Sequence, residues 1–133
     1  MRRKSIIVIT LMLMALCFSL TGCNSYTSHG TGTLIVQNNV SDKAEVAFHS
    51  LDGTRVYEMK VKDSKKVLKY SGKLDKGNVT VYYDNDGAKK ELFSVSAGEN
   101  VDSSFEALEK GTLYIILETD GEAEGGNFSF SLE

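Results

Sequence analysis

The chain has no proline, no tryptophan, two histidines and two cysteines in 133 residues. Each shortage excludes something. Without tryptophan it lacks the side chain best suited to cation–π contacts and a common anchor of binding faces. His29 and His49 are the only imidazoles, which leaves acid–base and metal chemistry few groups to use. Cys17 and Cys23 both stand near the start, so the remainder has no disulfide and must rely on packing. No Gly-x-Ser-x-Gly elbow is present for a serine nucleophile. Gly30-Thr31-Gly32 has Ile35 where a dinucleotide loop needs its third glycine, and no strand precedes it. These residues predict no catalytic constellation, no cofactor and no enzyme.

What is present is concentrated first at the beginning. Arg2, Arg3 and Lys4 precede an apolar run from Ile6 to Phe18 that only Thr10 interrupts. A basic start followed by a short apolar run is the pattern of a secretory signal peptide. The run is shorter than the ~20 residues that span a bilayer as a helix, which argues against a permanent span. Leu20-Thr21-Gly22-Cys23 then follows. This tetrad resembles the lipobox of bacterial lipoproteins: a branched apolar residue, two small residues and a cysteine. The resemblance implies that Leu20, Thr21 and Gly22 are read by the signal peptidase, which cuts after Gly22. It implies that Cys23 carries a diacylglyceryl group as the first mature residue. More than one acyl chain holds a protein stably to a membrane, since each buried CH₂ contributes about 0.8 kcal/mol. The alternative is an ordinary secreted thiol after a cleavage site. Cys17, inside the run, leaves with the signal. The expected location is the extracytoplasmic face of a bacterial membrane, with the membrane as partner through Cys23.

Three domains of the chain follow: a signal peptide over 1–22, a lipidated start and flexible tether over 23–32, and one folded domain over 33–133. Residues 24–32 are small and polar with two glycines, a composition of flexible coil reaching roughly 15–18 Å. Beyond Gly22 the chain has twelve basic and eighteen acidic residues, a formal charge of −6. That charge predicts stand-off from anionic lipid and excludes nucleic acid, whose binding needs a basic patch.

From Thr33 onward short segments alternate with period two and are divided by Gly and Asp/Asn turns, the pattern of an all-β domain. Val46 and Phe48 share one face of 43–50, and Tyr57, Met59 and Val61 one face of 54–61. Leu51-Asp52-Gly53 between them reads as a hairpin turn. The lysines flanking 65–71 suggest an edge strand. Asn78 to Tyr83 and Lys89 to Val95 form a hairpin about Asp84-Asn85-Asp86-Gly87. Val101 to Leu108 alternates as a strand, although Ser103 and Glu106 match a helix capping box; strand is the reading preferred because every neighbour alternates. Thr112 to Thr119 is apolar on both faces, as a covered central strand is. Asn127 to Leu132 closes with Phe128 and Phe130. Gly111, Ile115, Leu117, a glycine-rich loop and then Phe-x-Phe are similar to the final hairpin of small sandwich domains in other bacterial lipoproteins. The expected fold is an antiparallel β-sandwich of about eight or nine short strands.

Two clusters are candidate sites. Glu118, Asp120, Glu122 and Glu124 surround glycines in one loop, where carboxylates could hold Ca²⁺, or where the loop is simply solvated. Tyr82 and Tyr114 point away from the main inward sets of their strands. If those strands are neighbours, the two rings make a shallow platform for a sugar or peptide; otherwise they pack under other parts of the chain. The function these features predict is a non-catalytic binding or structural module at the cell envelope, its partner a glycan or an envelope protein. An accessory or inhibitory lipoprotein that docks one protein is the alternative.

Overall fold

The computed structural model describes residues 26–133. The expected signal peptide, the Leu20–Cys23 tetrad and the first residues of the expected tether lie outside the described residues. Nine strands make up the fold: β1 (His29–Thr33), β2 (Val36–Val40), β3 (Lys43–Val61), β4 (Leu68–Lys73), β5 (Asn78–Asp84), β6 (Lys90–Ser96), β7 (Asn100–Phe105), β8 (Gly111–Thr119) and β9 (Ala123–Leu132). Every pairing is antiparallel, in the order β6-β5-β8-β3-β9-β4-β7, with β1 and β2 also on β3. Residues 100–105 are strand, and no helix occurs among the described residues.

The organising element is β3, a 19-residue strand. Its second half pairs with β8, from Thr54↔Glu118 to Val61↔Gly111. Its first half pairs with β9, from Lys43↔Ser131 to Leu51↔Ala123. Ser50 and Leu51 pair with β1 as well as β9, and Thr54 with β1 as well as β8. A strand has two edges, so β8 and β9 must run end to end along one edge while β1 and β2 run along the other. The hairpin turn expected at Leu51-Asp52-Gly53 is therefore absent. Leu51 is fully buried, and the strand passes straight through with partners on both sides. Gly53 serves a close approach instead. It lies opposite Gly30, and a Cβ on either would run into the other strand's backbone. Nor do β8 and β9 form a final hairpin, because each pairs with β3 rather than with the other.

The continuous sheet folds over along β3 into two layers. The first contains β6, β5, β8 and the second half of β3; the second contains β7, β4, β9, the first half of β3, and β2. Aromatic rings join them face to face. Phe93 of β6 stacks on Tyr70 of β4 with ring centroids 4.9 Å apart and lies 6.3 Å from both Phe128 and Phe130 of β9. Tyr83 of β5 meets Phe105 of β7 at 4.9 Å. The expected β-sandwich is thus the observed fold. One side is drawn together where the Lys60 N–H donates to the Ser41 carbonyl at 2.8 Å. The edge position expected for 65–71 is corrected: β4 pairs with β7 on one side and β9 on the other. Among the described strands the edges belong to β6 and β7, and to β1 and β2, each of which pairs only with β3. Leu68 is fully buried, and the flanking lysines project from the surface.

Residues 29–32, expected within the flexible tether, are strand. His29 to Thr33 pair residue by residue with Thr54 to Ser50. Small polar residues satisfy a ladder as well as they satisfy a coil when a long strand offers a free edge, since every backbone N–H and C=O seeks a partner.

Candidate functional site

On the outside of the first layer, β5 and β8 are neighbours, with Tyr82 opposite Ile116 and Asp84 opposite Tyr114. The condition for a Tyr82–Tyr114 platform is met, but the rings are not bare. The Tyr26 ring packs on Tyr114 with centroids 5.3 Å apart, and its hydroxyl donates to Asp84 Oδ2 at 2.7 Å. The Lys89 ammonium sits 4.3 Å above the Tyr82 ring and is held by Glu118 Oε1 at 2.7 Å. Ile116 is fully buried yet stands outside the inter-layer cluster. It is an outward apolar residue covered by these side chains. Asp84 is itself 3% exposed, and its Oδ1 accepts from the Gly87 N–H at 2.7 Å, closing the hairpin turn read from the sequence.

Burial, and then the bond to Asp84, pushes the Tyr26 phenol up to about 12. Burial does the same to Tyr57, also to about 12, whose hydroxyl reaches Gln37 Oε1 at 3.1 Å. Both groups keep their proton in the folded state after the unfolded chain would have lost it. Their contribution to stability is present below about pH 10 and is lost as pH rises through about 12. An ultraviolet titration checks this by comparing the protein with variants that lack one of the two phenols. Tyr26→Phe is expected to remove one late-titrating phenol from the curve; an unchanged late amplitude refutes the docking of Tyr26.

The acidic loop does not converge. Glu118 is paired with Lys89, and Glu124 with Lys76 at 3.4 Å. Asp120 is exposed, and Glu122 is exposed beside β1 in a separate shallow hollow. Among the described residues no group of three or more His, Cys, Asp or Glu is placed to hold a metal ion. His29 and His49 are both exposed, on β1 and β3.

A feature that the sequence reading missed lies on the outside of the second layer. The outward residues Ala47, Asn127, Ser129 and Ser71 come from β3, β9 and β4, and register places them side by side: Ala47↔Asn127, Asn127↔Lys73 and Ser129↔Ser71. All are small or slender, so they form the floor of a trough. One end holds a cavity of about 300 Å³ bordered by Val36 and Glu45. The other holds one of about 320 Å³ bordered by Lys73, Asn100 and Asp102. Asn127 lines both. Val36 is 72% exposed, an apolar border beside a floor of amides and hydroxyls. The only sequence signal was a run of small outward residues on segments far apart in the chain, which became a surface only through pairing.

No family model matches this chain, and no curated protein sequence matches it. Solved structures do. The pre-peptidase C-terminal domain of collagenase from Bacillus anthracis is 17% identical over 83% of this chain and 100% of that one, with a TM-score of 0.51. TmCBM61 in complex with β-1,4-galactotriose is 18% identical over 68% of this chain and 70% of that one, with a TM-score of 0.43. A mutant family 29 carbohydrate-binding module complexed with mannohexaose is 16% identical over 82% and 79%, with a TM-score of 0.41. What this chain shares with the collagenase domain is the fold.

Proposed function

We propose that this chain is a lipid-anchored, extracytoplasmic β-sandwich that acts without catalysis, as a module binding an uncharged envelope glycan in the trough of the second layer. The observation that carries the binding reading is the trough itself, with Asn127 shared between its two ends. Amides, hydroxyls, the Lys73 ammonium and the Glu45 and Asp102 carboxylates offer donors and acceptors that suit a polyhydroxylated chain. Such groups fix a ligand by hydrogen bonds rather than transform it. The anchor rests on Leu20-Thr21-Gly22-Cys23 and the basic, apolar segment before it.

The test has two arms. In cells, globomycin is expected to make the unprocessed precursor accumulate, and Cys23→Ala to release the protein from membranes; a precursor that does not accumulate rules out the lipobox. With the lipidated protein in detergent, sedimentation on purified cell-wall glycan is expected, and Asn127→Ala weakens it about three- to tenfold, the effect of one lost hydrogen bond. Unchanged sedimentation of Asn127→Ala removes the trough from the reading. A second reading, docking of one envelope protein, is favoured by the exposed apolar side chains Leu34, Val36 and Val40. It predicts a stoichiometric partner in membrane pull-downs that Val36→Asp loses.

A further inference from the structure

The position of Tyr26 bears on how such a module would stand on its membrane. From Tyr26 onward the chain is tied to the first layer. The Tyr26 hydroxyl is bonded to Asp84 and its ring rests on Tyr114. Two residues on, Ser28 Oγ accepts from the Val56 N–H at 2.9 Å. The β1 ladder begins at His29. Between Cys23 and Tyr26 stand only Asn24 and Ser25. Three Cα-to-Cα steps reach at most about 11 Å. A lipidated Cys23 would therefore lie within about 11 Å of a residue clipped to the outside of the first layer.

We infer that the Tyr26 clip sets the orientation of the domain on the bilayer: the outer face of β5 and β8 lies against the lipid headgroups, and the trough of the second layer is presented away from the membrane. This rests on the lipidation of Cys23, whose short link to Tyr26 holds the face near the headgroups against the stand-off that the formal charge of −6 favours. The occupant of the face is the headgroup surface, because the chain outside the structure ends there. Four of its charges are already neutralised in two pairs, Lys89 with Glu118 and Lys60 with Glu58 at 3.3 Å. The opposite arrangement would require the clip to open and β1 to peel from β3, because two linker residues cannot carry the acyl chains around the sandwich.

The experiment uses the full mature lipidated protein in phosphatidylethanolamine–phosphatidylglycerol vesicles that carry a headgroup-attached quencher. A fluorophore is placed at Glu91→Cys, outward on the first layer opposite Tyr82, or at Lys73→Cys, outward on the second layer opposite Asn127. Both positions are exposed. Quenching is expected to be at least about threefold stronger at Glu91→Cys. Equal or reversed quenching on protein that floats with the vesicles overturns the orientation. Protein that does not float overturns the lipid anchor instead, so the two failures are distinguishable. Tyr26→Ala, which opens the clip without touching the inter-layer core, is expected to bring the two signals together while flotation persists. Tyr26→Phe, which removes only the bond to Asp84, is expected to fall between. If Tyr26→Ala keeps the full difference, the clip is not what orients the domain.

Discussion

Replacing Phe128 by alanine is expected to cost about 3–5 kcal/mol of unfolding free energy. Phe128 is fully buried on β9, within 6.2 Å of the Phe48 ring and 6.3 Å of the Phe93 ring. It is one of the rings through which the two layers meet. Removing it subtracts its transfer energy and leaves a void that neighbours on paired strands cannot close, since each is held by a ladder. Domains of this size have about 5–15 kcal/mol in all. No disulfide is available beyond Cys23 to limit the unfolded chain. Thermal unfolding followed by circular dichroism should show a melting temperature at least about 12 °C lower, taking ~4 °C per kcal/mol as the lower bound. A fall of less than about 4 °C would mean that the layers do not depend on this ring.

Gly126→Ala is the second large effect, and its sign is the informative part. In an open strand position the change would stabilise by about 0.4–1 kcal/mol, by restricting the unfolded chain. Gly126, however, is buried and inward, opposite Phe48 on β3, and an added Cβ would overlap the Phe48 ring. That ring cannot withdraw, because Phe128 lies beneath it. Overpacking of this kind costs about 1–3 kcal/mol. Denaturant unfolding of Gly126→Ala, Phe48→Leu and the double variant measures the conflict directly. The double variant is expected to be more stable than the sum of the single losses allows. Strict additivity would place the strain elsewhere. Gly72 on β4 plays a similar part, its α-carbon standing close under the Phe128 and Phe93 rings.

These two glycines mark where sequence reading reached its limit. Alternation identified the inward sets of most strands, because period two is a local property and needs no partner: Val46 with Phe48, Tyr57 with Met59, Phe128 with Phe130. Asp84 to Gly87 was legible as a turn, since an Asx side chain closing on its own backbone is also local. Asp52-Gly53 carries the same signal, yet the chain runs straight through it. A hairpin preference of this kind is worth little against full burial of Leu51 and ladder partners on both edges. For the same reason the strand number came out near nine while the divisions did not. Two expected strands are the single β3, and the supposed tether contributes β1.

The candidate sites divide along the same line. Tyr82 and Tyr114 were rightly read as outward, and β5 and β8 are indeed neighbours. That Tyr26, separated from Asp84 by 58 positions, would come to cover them was not written in either strand. The trough was invisible for a related reason, since Ala47, Ser71 and Asn127 are unremarkable until register sets them side by side.

By itself, then, the sequence determined the class of fold, the inward faces and the features that suggest an anchor at Cys23. All three rest on short-range patterns: alternation, turn chemistry, and a basic–apolar–small order of residues. Tertiary structure alone decided that β3 serves both layers, that the chain at Tyr26 is clipped to the first, and that a polar floor opens on the second. Each of these depends on which edge a strand finds. That is settled by the competition of every backbone donor and acceptor for a partner while the apolar faces close, and no single segment carries that information.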